Sequence, residues 1–407
     1  MTAAEALVET VDSVEVPEDL DSSSSSFEEF LVAVRRHLHQ NPELGLHEFK
    51  TSRFIREVLE RHGLEVHGPL ARTGLYVDIL GDLPGPLLAY RADIDALPIH
   101  DAKTVEYRSQ NDGVAHLCGH DAHTTIAIAT ALLLNEHRHE MRGGVRVFFQ
   151  PNEEGIPSGS PLMIRDGVME GVSEVFASHV DPTVTVGRFG LITGAATASA
   201  DRFRVVISAA STGHSARPHQ SVDTVWVANQ IMSTIYQVVG RRTDARNGTV
   251  IAICRLRAGD AYNVIPQEVE FGGTFRCTVH TDRALVRDLI TDTARRVADQ
   301  FGAAVQVDFD HGSPPVVNNG KLVERMRQAV HTLYGEEAVF DIPAPSMGAE
   351  DFAHYLDHAP GMLLRVGTAS GPQTSHVLHD SCFDIDERAI GMAARLLTRM
   401  MVDALAA

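Results

Sequence analysis

The chain has 407 residues, 44% of them hydrophobic. At roughly 150 residues per domain that supplies two or three domains with cores of their own, which excludes a small disulfide-stapled module. Lys and Arg number 35 against 54 Asp and Glu, a net charge of -19, and no basic block interrupts the acidic background, so no nucleic-acid partner is expected. The longest nearly unbroken apolar run, Ile126 to Leu134, is about half of the ~20 residues that cross a bilayer, and no membrane partner is expected either. The cysteines Cys118, Cys254, Cys277 and Cys382 lack CxxC spacing, as in a compartment where thiols stay reduced. The first 34 residues carry no Lys or Arg, and Glu5, Glu9, Asp12, Glu15, Glu18, Asp19 and Asp21 crowd their start. A secretory or mitochondrial leader would be basic, so a cytoplasmic location is expected.

Residues 1–26, acidic and then serine-rich, cannot bury enough apolar surface to order themselves and read as a disordered tail. The fold should start at a Ser26 to Glu29 capping box, followed by a helical stripe of Phe27, Leu31, Val34 and Leu38. A second helix is expected from about Thr51 to His62. Buried strands follow at Gly74 to Leu80, Leu87 to Ala92, Val145 to Phe149 and Val175 to Ser178, with a helix from about Ala122 to Glu136 among them. Alternating strands and helices predict a mainly parallel sheet, so residues 27–194 form the first part of an α/β domain. Over 195–311 the order becomes strand (Asp201 to Ala209), helix (Val222 to Val239), two strands (Thr249 to Leu256, Val269 to Thr278), helix (Arg283 to Phe301) and strand (Val305 to Phe309). That β-α-β-β-α-β order is the pattern of an inserted ferredoxin-like α+β domain. Residues 312–407 resume the alternation, with helices near Leu322 to Tyr334 and Glu387 to Ala406 around a strand at Met362 to Val366, and complete the first domain.

Twenty-one histidines in 407 residues supply about one His pair at any fixed spacing by chance, so His37/His39 and His137/His139 read as surface or packing residues. Position is more informative, because an open parallel sheet binds ligands at the carboxyl ends of its strands. One strand runs into Asp93-Ile94-Asp95, the next into Gln150-Pro151-Asn152-Glu153-Glu154-Gly155, and a third ends at His179. Between the first two lies Cys118-Gly119-His120-Asp121-Ala122-His123, which opens a helix, and near the C-terminus His376 and His379 precede Phe383-Asp384. Each group alone has a plain reading: a buried small thiol, helix-capping aspartates, a solvated acid pair, a satisfied histidine. Together, a thiolate, imidazoles and carboxylates at one edge are the ligands of a zinc-like site, with two ions sharing a ligand as one form.

The motifs Arg91 to Pro98, Cys118 to His123, Gln150 to Gly155, Gly213 to His219 and Ser346 to Phe352 resemble the successive signatures of one family. It is the amidohydrolase branch of the glutamate-carboxypeptidase-type metallopeptidases, which contains aminoacylases, hippurate hydrolases and indole-acetyl-amino-acid hydrolases. The likeness spans residues 27 to 405. It implies a catalytic α/β domain interrupted by a lid or dimerisation domain, and a homodimer or homotetramer through that lid. It makes Cys118, His120, Glu154, His179 and His379 ligands of one or two divalent ions, zinc first and manganese, cobalt or nickel as alternatives, with Glu153 the general base. It selects His379 over His376, although Ser381 stands where the family usually has proline, and Asn152 stands where it usually has alanine. His214 would stabilise the oxyanion, while Asn263 and Arg276 would hold the substrate carboxylate. The implied reaction is hydrolysis of an N-acyl-L-amino acid, a small-molecule substrate, to a carboxylic acid and an amino acid. A dipeptidase or carboxypeptidase, or a deacetylase of an N-acetylated diamino acid, is the alternative with the same site. A metal- or ligand-binding protein without turnover is the non-enzyme alternative.

Overall fold

The structure, a computed structural model, describes residues 24–406, so nearly all of the expected tail lies outside the described residues. The first helix starts slightly before its expected capping box: Ser24 is the N-cap, its Oγ accepting the Phe27 N–H at 3.2 Å, and α1 runs Ser25–Gln40. A run of serines offers several caps of equal chemistry. The expected stripe Phe27, Leu31, Val34 and Leu38 is buried.

The chain divides into two compact units. The first takes the chain up to Gly194, then Val317–Pro343, then the C-terminal stretch from His354. Its strands include β1 (Val66–Leu70), β2 (Gly74–Leu80), β3 (Leu83–Asp93), β4 (Arg142–Gln150), β5 (Val172–Thr185) and β6 (Phe189–Leu191). They join Val339–Asp341 and Gly361–Ala369 in an eight-stranded sheet of order β1, β2, β4, β3, β5, Gly361–Ala369, β6, Val339–Asp341. β3 pairs in parallel with β4 and β5, and β5 with Gly361–Ala369, so the centre of the sheet is parallel. Antiparallel β1 and β2 extend one edge. With α1, this unit holds α2 (Phe49–Arg61), α3 (His120–Glu136), α4 (Ser160–Arg165), α7 (Gly320–Tyr334) and α8 (Arg388–Leu405); α5 (Thr224–Arg242) and α6 (His280–Phe301) belong to the second unit. Its core gathers Ile126, Leu132 and Leu134 of α3 with Val145, Val147 and Phe149 of β4 and Leu396 and Leu397 of α8.

The second unit is Ala195–Val316 with Ala344–Ala353. Four antiparallel strands lie in the order Thr249–Arg257, Glu268–Cys277, Asp201–Ser208, Ala304–Asp310, which with α5 and α6 is the expected ferredoxin-like arrangement. Alternation drives it: Phe203, Val205 and Ile207 are buried and Arg202 and Arg204 exposed. The apolar face packs on Val227, Ile231 and Ile235 of α5 and Val286 and Ile290 of α6, a core separate from the first. Ala344–Ala353, grouped by the sequence with the C-terminal segment, is tied to this unit by Ser346 N–H to Ala196 O (3.0 Å) and Ala198 N–H to Gly348 O (3.1 Å). Among the described residues no helix is long and apolar enough to cross a membrane.

Candidate metal centre

Parallel pairing aligns the strand ends of the first unit. Asp93 of β3 is in register with Gln150 of β4, so Asp95 and the Glu153-Glu154 pair leave the sheet side by side. β5 passes through the same edge at His179. The Cys118 segment enters α3 through Gly119, whose φ is +85° and whose added Cβ would lie 2.4 Å from Val180 Cγ2. Only glycine meets both conditions, and it brings Cys118 and His120 against β5 at Val180.

Two of the five expected ligands, His179 and His120, are placed by side-chain hydrogen bonds that choose a tautomer. His179 Nδ1 lies 2.8 Å from the Val180 carbonyl, which can only accept, so Nδ1 carries the hydrogen and the Nε2 lone pair faces Cys118 Sγ at 3.5 Å. Burial, with Arg365 and His123, holds His179 well below the usual histidine range, which keeps it neutral. His120 Nδ1 lies 2.9 Å from the Asp95 carbonyl and 3.3 Å from Asp95 Oδ1, leaving Nε2 buried without a hydrogen-bond partner. His379 Nε2 is 3.1 Å from Glu154 Oε1, an ion-pair distance without hydrogen-bond alignment, so Glu154 Oε1 is also buried and unmatched. Burial pushes the Cys118 thiol up to about 12; a thiolate there needs a positive charge beside it, which a divalent ion supplies. Two buried lone pairs without hydrogen-bond partners, on His120 Nε2 and Glu154 Oε1 beside a thiol, fit a metal and fit little else. The donor atoms fall into overlapping groups: Cys118, His120 and His179; Cys118, Glu154 and His379; His120, Glu153 and Glu154. Cys118 is common to the first two.

The His379 backbone is left-handed (φ +69°) and its N–H donates to Leu117 O at 2.7 Å, tying it beside Cys118. His376 instead faces Asp380 at 3.6 Å, on the surface. His123 also borders the cluster, but Val180 N–H donates to its Nε2 (2.9 Å) and its Nδ1 bonds Asp93 Oδ1 (2.6 Å), so both nitrogens are used and it is no ligand. Asp93, paired with Arg91 at 2.7 Å, is fully buried. Burial opposes its charge, but His120, Arg91 and His123 hold it well below the usual carboxylate range.

Asp95, which the sequence places at a strand end without giving it a role of its own, organises this cluster. Its Oδ1 accepts the Glu153 N–H (3.0 Å) and its Oδ2 the Glu154 N–H (3.1 Å), while the same residue orients His120. One buried carboxylate thus orients a candidate ligand and the backbone of both members of the acid pair. Its signal was its place two residues past a strand end; what it bonds is 58 residues away in sequence.

The remaining expected site residues belong to the second unit. His214 pairs with Val264 in a two-stranded ribbon, and Ser215 N–H donates to Asn263 O at 3.1 Å, so His214 and Asn263 are neighbours with exposed side chains. Arg276, half-buried on Glu268–Cys277, gives one N–H to Met347 O at 3.0 Å.

A thiol, imidazoles and a carboxylate at the carboxyl ends of a parallel sheet, with a second carboxylate beside them, define a metal-dependent hydrolase. The chain belongs to peptidase family M20/M25/M40, whose sequence profile matches residues 89–403. It is 36% identical over 373 residues to N-acetyl-L-cysteine deacetylase of Bacillus subtilis, covering 92% of this chain and 88% of that one. It is 34% identical over 376 residues to IAA-amino acid hydrolase ILR1-like 2 of Arabidopsis thaliana (92% and 85%). Among solved structures it resembles the Bacillus subtilis YXEP protein, described as a dinuclear metal-binding peptidase of the M20 family, with TM-score 0.82, 34% identity and coverage of 94% and 99%.

Proposed function

We propose that this protein hydrolyses N-acyl-L-amino acids, with an N-acetyl, benzoyl or aryl-acetyl group, to a carboxylic acid and a free amino acid. The observation that carries the reading is the overlap of the donor groups on Cys118 with Glu153 alongside. The relatives named as an N-acetylcysteine deacetylase and an IAA-amino acid hydrolase support an amide next to an amino-acid carboxylate as the substrate. Cys118, His120, Glu154, His179 and His379 would hold one or two divalent ions; zinc suits the thiolate best, and manganese, cobalt or nickel suit the mixed set. Such an ion lowers the pKa of water toward ~7 and polarises the amide carbonyl.

Glu153 would accept the proton of the attacking water and return it to the departing nitrogen. Glu154, fixed by the same Asp95, would keep its neighbour in place. His214 would donate to the oxygen that gains charge as the carbonyl becomes tetrahedral. Arg276, with Asn263, would grip the amino-acid carboxylate through a charge-assisted pair that lysine cannot copy in geometry. We place the enzyme in the cytoplasm, as a dimer or tetramer through the second unit, where Thr249–Arg257 ends its sheet with one side unpaired.

The test is amine release from N-acetyl, N-benzoyl and indole-acetyl amino acids and from dipeptides, using zinc- or manganese-loaded protein. Faster turnover of the N-acyl amino acids is expected; preference for dipeptides would favour a peptidase, and a silent panel would overturn the enzyme. Arg276→Ala should raise KM for N-acetyl amino acids far more than for the corresponding amides, which lack the carboxylate. Equal losses would show that Arg276 is structural.

A further inference from the structure

Helix α2 begins with an acid in an unusual employment. Glu48 occupies its N-cap but makes no side-chain cap bond. The orphan donors are taken from farther away: Glu43 Oε2 accepts the N–H groups of Lys50 (2.8 Å) and Thr51 (2.9 Å). Glu48 is therefore free to point elsewhere. It is fully buried, with Oε2 accepting the Thr73 hydroxyl at 2.7 Å and Oε1 accepting the backbone N–H of Asn152 at 3.0 Å. Asn152 is the residue before Glu153.

Three successive backbone N–H groups are thus held by two buried carboxylates. Asn152 is held by Glu48, and Glu153 and Glu154 by the two oxygens of Asp95. Asn152 is built for the junction. Its φ is +57°, a left-handed conformation that asparagine tolerates better than most side chains. Its Nδ2 donates to Pro157 O at 2.8 Å and its carbonyl accepts the Gly159 N–H at 2.8 Å, closing the loop on both sides. Gly45 and Gly155 leave room for its amide: a Cβ at either would lie about 2 Å from Asn152 Oδ1 (2.0 and 2.1 Å).

We propose that Glu48, acting through Asn152, is a positioning residue that sets the loop carrying the base Glu153, and that it does so by hydrogen bonding and not by charge. The proposal rests on the hydrolase reading for Glu153. Its logic follows from the partners. Oε1 can accept from Asn152 whether or not the carboxyl is protonated, and Oε2 can accept from Thr73 as a carboxylate or donate to it as an acid. Burial pushes this carboxyl up to about 7, opposed by the Thr73 bond, so both forms are present near neutrality and both make the clamp. A glutamine makes the same two bonds, its oxygen to Asn152 and its nitrogen to Thr73.

The experiment compares Glu48→Gln, Glu48→Ala and Asn152→Gly in the metal-loaded full-length protein, reading kcat, KM, metal stoichiometry and hydrogen exchange of the 150–159 segment. Misplacing a reacting group by about 1 Å can cost ~10²-fold, so Glu48→Ala should lower kcat by about 10- to 100-fold with KM and metal content little changed. Glu48→Gln should restore kcat to within about threefold of wild type, and segment 150–159 should exchange faster in the alanine variant only. Asn152→Gly keeps the left-handed turn but loses the side-chain bond to Pro157, so kcat should fall by a smaller factor. Glu48→Asp, one methylene shorter and unable to span Thr73 and Asn152 together, carries the test if Glu48→Ala does not fold, and its kcat should fall while Glu48→Gln keeps it; an unchanged kcat there would overturn the proposal. An unchanged kcat in Glu48→Ala, a loss confined to KM or metal, or a glutamine variant as poor as alanine would overturn the proposal. If wild type hydrolysed nothing, the hydrolase reading would fall. Exchange would still judge the clamp, and unchanged protection in Glu48→Ala would refute it.

Discussion

Glu153 and Glu154 carry the same side chain on adjacent residues, and the duties proposed for them differ. Asp95 pins both N–H groups, and the Glu154 carboxylate meets His379 at 3.1 Å, which supports the ligand role proposed for it. Glu153→Gln should therefore retain metal and lower kcat by about the 10² to 10⁴ of general acid-base catalysis. Glu154→Gln should lose metal, as elemental analysis would show, and an exchange of the two phenotypes would reverse the assignment. The candidate ligands were legible in the sequence because Cys118 and His120 open a helix, Glu154 follows a strand and His179 closes an apolar run, all of which point to a shared edge, although β5 continues past His179 to Thr185. Asp95 and Glu48 were not legible as positioning residues, since their partners are backbone N–H groups on a loop that no periodicity connects to them.

At the level of elements, α3 has its first fifteen residues, His120 to Leu134, buried, so its position is fixed by packing on all sides and its first turn presents His120 rigidly. Gly119 is the joint. A non-glycine residue at φ +85° costs about 1–3 kcal/mol, and a methyl there would press on Val180, next to His179. Gly119→Ala should lower stability by at least that amount in urea unfolding and weaken metal binding in the same protein, because Cys118 and His120 shift together. Full metal affinity with unchanged stability would show that the joint has slack. Elements with strong periodicity were read correctly, the ferredoxin-like order above all, where Phe203, Val205 and Ile207 alternate with Arg202 and Arg204. The β1 strand was not foreseen, because Val66–Leu70 contains Pro69 and buries little beyond Val66. β6 and Val339–Asp341 are three residues each, too short to show a period, and their pairing with one another and with the sheet is joined by burial of Phe189 and Leu191 in the core.

Across the first unit, Arg35 links segments far apart in the chain. It is fully buried, and its guanidinium reaches Asp121 of α3 (2.8 Å), Asp384 (2.8 Å) and Glu387 (3.2 Å), joining α1 to the start of α3 and to the approach to α8. Burial opposes the Arg35 charge, yet Asp121, Asp384 and Glu387 outweigh it and hold its pKa well above the usual value. Burial likewise would push Asp121 up, but Arg35 and His39 hold it well below the carboxylate range; Asp384 is lowered in the same way by Arg35 and Tyr107. A carboxylate depressed in the folded state contributes stability that is fully present above its unfolded value of ~3.9 and is lost as pH falls through the folded value. The protein should therefore keep its urea midpoint on this account from about pH 7 to about pH 5, then lose stability steeply below ~4 as protons are driven onto Asp121 and Asp384. Arg35→Met leaves those carboxylates buried without their main partner, which should cost about 3–5 kcal/mol at neutral pH. In that variant both groups protonate more readily in the fold, so the fall in stability between about pH 5 and about pH 3 should flatten. Urea midpoints of wild type and Arg35→Met at pH 7, 5, 4 and 3 decide the point. Two parallel curves, offset but equally steep in acid, would show that Arg35 serves by packing its stem and that the acid limb arises elsewhere.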